Sequence, residues 1–258
     1  MKKERVLAFG PHPDDVEIKG AGTLVLLAEM GYEIHVAVMA GGEMGSPTLP
    51  PARIRAIRMK EAARAAASIG ARFHFAGGHD IEIDYNQAYR RRAVRVVREV
   101  DPLIVFTTPP LDYLIDHEET SRLVRNACYV APVRNYYCGV PTKPTNRIPY
   151  LYYYNASDMR DIFGRPLPLT CAVDISSVIG QKSRMLACHA SQGVWLSHLN
   201  KITNFVTSMQ RTAKIEGHRA GFKMAETFIQ HLGSGHPQDN ILKKILGARC
   251  KEFRKTER

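Results

Sequence analysis

Short apolar runs alternate with longer segments of helical spacing along the first half of the chain, and that alternation leaves few folds open. Val6-Leu7-Ala8-Phe9 is an apolar run closed by Gly10-Pro11, which predicts a buried strand. Helical spacing follows from Ile18 to Met30 and stops at Gly31. Ile34 to Met39 predicts a second strand ended by Gly41-Gly42. Ala52 to Ile69, rich in Ala, Arg and Met, predicts a helix with Gly70 after it. Phe73 and Phe75 mark a third strand, Ala88 to Val100 another helix stopped by Asp101-Pro102, and Leu103 to Phe106 a fourth strand. A further helix is expected from His117 through Leu123. This order argues for an α/β, Rossmann-like fold: a mostly parallel sheet, helices on both faces, right-handed crossovers. Ligands of such sheets sit beyond the carboxyl ends of the strands. The loops after Phe9, Met39, Phe75 and Phe106 should therefore share one rim.

The second half is less regular. Pro141 to Pro149 holds three prolines and reads as an irregular loop. Strands are expected at Tyr150 to Tyr154 and Leu169 to Asp174, and a helix at Ser176 to His189. A long last helix is expected between Asn200 and Leu232, interrupted near Gly217 and Gly221. From Lys243 the chain is basic and is expected to fray. The reading is one domain over residues 1–240 with an irregular C-terminal half, then a basic tail over 241–258.

Composition narrows the class. Of 258 residues, 45% are hydrophobic and 24% charged, which fits a folded globular chain. No apolar stretch approaches the ~20 residues that cross a bilayer. The start, Met1-Lys2-Lys3-Glu4-Arg5, leads into no long apolar segment, so no secretory signal is expected. Cys128, Cys138, Cys171, Cys188 and Cys250 are scattered and read as reduced thiols of a cytoplasmic protein. The net charge of +11 favours an anionic partner: nucleic acid, membrane surface or acidic metabolite. Arg90, Arg91, Arg92, Arg95 and Arg98 give one basic helix, read as a solvated face or as an attractor of anions. Trp195 and the tyrosines from Tyr150 to Tyr154 read as core.

Two loops carry the chemistry. After the first strand comes Pro11-His12-Pro13-Asp14-Asp15-Val16-Glu17. Imidazole nitrogen and carboxylate oxygen both suit Zn²⁺, so His12 and Asp15 can converge on one cation. Asp14 then stands beside the ion, where a general base for its water belongs. The plainer reading makes Asp14 and Asp15 helix caps. After the fourth strand comes Pro110-Leu111-Asp112-Tyr113-Leu114-Ile115-Asp116-His117-Glu118-Glu119. By the rim argument it faces the first loop, and His117 supplies a third ligand. Asp116 could orient His117 or another site group from behind, or cap a helix. Two histidines and one carboxylate leave positions open for water and substrate, as a catalytic ion requires. They also hold Fe²⁺ in oxygenases, so zinc is the expected ion with Fe²⁺ or another divalent ion open.

With these motifs the sequence resembles the LmbE/PIG-L family of metal-dependent N-acetylglucosamine deacetylases. The family's (A/P)-H-P-D-D-x-E motif stands as Pro11 to Glu17, and its H-x-D-H motif as Leu114 to His117. Gly42-Glu43-Met44-Gly45, Arg58 with Glu61, His189-Ala190-Ser191-Gln192 after Lys182, and Gly221 to Phe228 extend the similarity. The resemblance implies zinc on His12, Asp15 and His117, Asp14 as base, and substrate contacts at Arg58 and Asp80. One departure stands out. Leu114 occupies the place of a histidine to which the family gives an oxyanion-stabilising or acid role. Tyr113 and His189 are the candidates to replace it.

The resemblance implies a hydrolase that removes an N-acyl group, acetyl first, from an amino-sugar conjugate, which the basic charge would favour being anionic. It also implies a homo-oligomer. The alternative is a non-catalytic protein binding nucleic acid or another anionic polymer through the basic face. That alternative gives His12, Asp14, Asp15 and His117 no reason to converge.

Overall fold

A computed structural model describes residues 3–200 and 204–253. Its centre is an eight-stranded sheet in the order β3-β2-β1-β4-β5-β7-β6-β8. The strands are β1 (Arg5–Gly10), β2 (Glu33–Ala40), β3 (Arg72–Gly78), β4 (Ile104–Thr107), β5 (Tyr150–Tyr154), β6 (Cys171–Asp174), β7 (Ala225–Gln230) and β8 (Cys250–Glu252). The first five run parallel, as expected. The other three extend the sheet by antiparallel pairing.

Period-two alternation in β1 explains the two layers. Val6 and Ala8 face one core with Leu24 and Leu27 of α2 (Ala21–Glu29) and Met185 of α6 (Ile179–Ala187). Leu7 and Phe9 face the other with Val94 and Val97 of α4 (Gln87–Val100) and Leu123 and Val124 of α5 (Ile115–Val130). The remaining helices are α1 (Asp15–Lys19), α3 (Pro51–Ala67), α7 (Ala190–Asn200), α8 (Phe205–Ala220) and α9 (Ile241–Leu246).

Four expectations change. The helix predicted from Ile18 to Met30 is two helices, α1 and α2, broken at Gly20, where a Cβ would overlap the Tyr154 ring. The long helix predicted over 200–232 ends at Ala220, capped by left-handed Gly221 (φ 79°), and β7 follows. Its buried Glu226 and Gln230 disguised an interior strand as polar. The segment expected to fray from Lys243 instead forms most of α9, a 3-10 turn and β8. Leu242, Leu246 and Cys250 join the core there, and Lys243 Nζ donates to the carbonyls of Gly247 and Cys250. Residues 254–258 of the expected tail lie outside the described residues. The Arg-rich helix is not simply a solvated face. Arg98 is buried and donates to the carbonyls of Ala131, Val133 and Tyr136.

Glu226 binds the antiparallel half to the parallel half. Its buried carboxylate accepts from the Gly22 and Thr23 N–H groups at 2.8 and 2.7 Å, from Thr23 Oγ1 at 2.6 Å, and from Lys182 Nζ at 2.6 Å. Lys182 is buried too. Removing one member of a buried ion pair leaves an uncompensated charge. Lys182→Met should therefore cost about 3–5 kcal/mol of unfolding free energy, read as a lower urea midpoint at unchanged m-value.

Candidate functional site

All five parallel strands send their following loops to one rim. Phe9 pairs with Thr107 across β1 and β4, and Thr107 Oγ1 donates to the Phe9 carbonyl at 2.8 Å. This register sets the first loop beside the fourth. The His12 N–H donates to Asp15 Oδ2 at 3.0 Å, which curls the first loop. Thr108 Oγ1 donates to the His117 carbonyl at 2.8 Å, which pins the start of α5.

His12, Asp15 and His117 come together, each buried, with one donor atom apiece within 4.8 Å of the others. His12 Nδ1 lies 3.3 Å from Asp15 Oδ2, and His117 Nε2 lies 3.5 Å from Asp15 Oδ1. Ligand atoms on a tetrahedron around Zn²⁺, with bonds near 2.0–2.1 Å, are roughly 3.3 Å apart. Each ring nitrogen on the far side is engaged. His12 Nε2 meets Asp116 Oδ2 at 2.9 Å and Asp80 Oδ1 at 3.0 Å, and His117 Nδ1 meets Asp112 Oδ2 at 3.0 Å. Carboxylates behind the imidazoles fix the ring orientation that metal ligation requires. His12, Asp80 and Asp116 form a second cluster of suitable atoms. There Asp116 also accepts the Ile81 N–H and Asp80 the Met44 N–H, and one imidazole stands with two carboxylates, whereas Asp15 joins two imidazoles, a donor set of catalytic zinc sites. The donor set at Asp15 fits a divalent ion better.

Charges stabilise one another in this buried cluster. Burial disfavours a charged His12, but Asp116, Asp15 and Asp80 outweigh it and raise its pKa. Burial disfavours an ionised Asp15, but His117 and His12 hold its pKa well below the usual carboxylate range. Asp14 differs. Burial pushes its carboxyl up to about 7, against the Arg58 guanidinium and with help from the Asp15 charge. Its backbone is left-handed (φ 101°), unusual for a residue with a side chain. Ile81 is left-handed as well (φ 65°), where β-branching makes the strain larger. Both line the cleft, consistent with strain held where surrounding structure over-determines it.

The cleft has a volume of about 510 Å³, in the range of small-molecule sites. His12, Asp14, Asp15, Arg58, Asp80, Tyr113, Leu114 and His117 all line it. Arg58 donates to the carbonyls of Pro13 and Gly42 and lies 3.4 Å from Asp14 Oδ1. The Gly42 position (φ 69°) favours glycine, because its backbone is left-handed and a Cβ would push that guanidinium aside. The Tyr113 ring stands edge-on to His117, at 5.1 Å between centroids. Trp195, expected in the core, is on the cleft wall. His189 is not. It is fully buried, with Nε2 3.4 Å from Glu17 Oε2. Asp116 backs His12 and not His117. Two further residues had no role in the sequence reading. Asp112 backs His117, and its signal was a carboxylate opening the loop that ends in that histidine. Lys19 also lines the cleft, and its signal was its position one helical turn after Asp15.

The family described as PIG-L, GlcNAc-PI de-N-acetylase, matches residues 7–128. The chain is 27% identical over 203 residues to the 4-oxalmesaconate hydratase of Pseudomonas putida, covering 74% of each chain. It is 28% identical over 204 residues to the Bacillus anthracis protein named "Probable N-acetyl-alpha-D-glucosaminyl L-malate deacetylase 2", covering 74% of this chain and 83% of that one. The N,N'-diacetylchitobiose deacetylase from Pyrococcus horikoshii shares the fold, with a TM-score of 0.74 at 24% identity, over 88% of this chain and 84% of that one.

Proposed function

We propose that the chain, whose residues 7–128 match the PIG-L family, is a metal-dependent hydrolase removing an N-acyl group, acetyl first, from an amino-sugar conjugate. The observation that carries the reading is the meeting of His12, Asp15 and His117 on one rim, with the Asp14 carboxyl beside them. The relatives named as deacetylases support it. The basic-face alternative loses ground, since Arg98 is spent on backbone carbonyls and Arg92 donates to Ala76 O.

His12, Asp15 and His117 would hold the ion, which we propose to be zinc. Bound there, it would polarise the acyl carbonyl and acidify a water. Asp14 takes the proton of the attacking water and returns it to the leaving amine. Arg58, tied to the Pro13 and Gly42 carbonyls, keeps the Asp14 carboxyl in place. Tyr113 is the candidate donor in place of the missing histidine, because its side chain borders the cleft and His189 does not. We place the reaction in the cytoplasm, on the five free cysteines. No helix among the described residues is long and apolar enough to cross a membrane.

Acetate release from a panel of N-acetylated amino sugars tests the reading. Chelation should abolish release and added zinc restore it. Silence across the panel from fully metallated protein would overturn the reading. Asp14→Asn should keep the ion by elemental analysis yet lose at least ~100-fold in kcat, since asparagine accepts a left-handed backbone. Asp112→Ala should weaken the ion about 10- to 100-fold, measured by competition with a chelating dye. Tyr113→Phe should lower kcat more than it raises KM.

One observation favours a second reading. A relative of nearly the same identity is named a hydratase, and Leu114 lacks the donor an amide hydrolase of this family uses. Addition of water to a carbon–carbon double bond of a carboxylic acid would use the same Asp14. Loss of the conjugated absorbance without acetate release would establish it.

A further inference from the structure

Lys19 is the last residue of α1, four after Asp15. Residues at that spacing share a helix face, with Cβ atoms roughly 5–6 Å apart. Its side chain is half-buried and borders both the cleft and a small cavity beneath it, beside Asn155, Lys182 and Glu216.

The neighbouring cations are engaged. Lys182 is paired with Glu226, and Arg58 holds the Pro13 and Gly42 carbonyls and faces Asp14. Burial lowers the Lys19 pKa and the nearby Lys182 charge adds to that, while Asp112, Glu216 and Asp15 oppose the shift. Each of these carboxylates is committed elsewhere. Asp112 binds His117, Asp15 faces both site histidines, and Glu216 accepts from Asn155 and Thr227. Among the described residues no carboxylate oxygen lies within ion-pairing distance of the Lys19 ammonium. A cation partly withdrawn from water without a bonded counter-charge favours an incoming anion. Hydroxyls of Ser157 and Thr212 border the same small cavity as Lys19 and supply donors for a second oxygen. Asp158 is the one exposed acid on the wall, and its exposure to water screens its charge.

We propose that Lys19 forms a carboxylate-binding subsite, so that the substrate carries a carboxylate a few bonds from its reacting group. The inference rests on the cleft being the substrate site of the proposed hydrolase. The two curated relatives support it from different chemistries, since malate and oxalmesaconate are both carboxylic acids.

The metal-loaded full chain is compared with Lys19→Met and Lys19→Arg on two substrates, N-acetylglucosaminyl malate and methyl N-acetylglucosaminide. Wild type should prefer the malate conjugate. Lys19→Met should lose about 10- to 100-fold of that preference, mainly through KM, and Lys19→Arg should keep most of it. An unchanged preference, or an equal fall on both substrates, overturns the subsite. Calorimetric titration of the same proteins with L-malate reads the subsite without turnover. Binding at least tenfold weaker in Lys19→Met upholds it, and equal affinity or no binding to wild type overturns it. If wild type releases no acetate, deacetylation fails as the reaction while the malate titration still decides Lys19.

Discussion

The Asp15 carboxylate is the point on which the site closes. One oxygen accepts the His12 N–H at 3.0 Å and faces that residue's ring, and the other faces the ring of His117 from the far loop. An ionised group so far from water survives only opposite other charges. The two imidazoles face it, a divalent ion held between them would supply the charge, and each imidazole then needs a partner behind it. Asp116 and Asp80 serve His12, and Asp112 serves His117. The cluster is a chain of mutual requirements, each of which fixes a rotamer. That is why a few side chains on separate loops hold one geometry.

The sheet makes this economical. Parallel strands deliver their following loops to one edge, and β1 beside β4 sets the two decisive loops next to each other. The antiparallel half has a different task. Through α7 and α8 it adds Gln192, Trp195, Met209 and Thr212 to the cleft wall. Glu226 keeps that wall in register with the rim by accepting from the first N–H groups of α2, directly after the site loop and α1. A rim built by one half and a wall built by the other explain why the cleft is deep enough for a small molecule.

The parallel half was legible in the sequence because its strands are unbroken apolar runs and its helices end on glycine or before proline. Leu7-Ala8-Phe9 and Ile104-Val105-Phe106 have no competing interpretation. The rim rule then put His12, Asp15 and His117 together. The misread elements have different causes. Buried Glu226 and Gln230 made β7 look like a helix surface, whereas exposed Lys243 and Lys244 made α9 look like a loose tail although Leu242 and Leu246 on either side of them are core. Asp112 escaped notice because its role depends on a ring orientation that no spacing rule encodes. Arg98 escaped for the same reason, since its partners are backbone carbonyls distant in sequence.

Hydrolysis of an amide and hydration of an alkene begin alike, with a water made nucleophilic beside a carboxylate. They part at the next atom. The amide route must stabilise a charged carbonyl oxygen and protonate a departing amine, whereas the alkene route must place a proton on carbon and loses no group. At the position where a histidine would serve the amide route, this cleft has Leu114, with Tyr113 beside it. A carboxylate on the substrate helps either route, because it fixes the reacting bond relative to Asp14 and trades orientational freedom for rate. On the proposed reading, the residues that activate water would define the class of chemistry, and those one step out, Tyr113, Leu114 and Lys19, would define which bond it acts on.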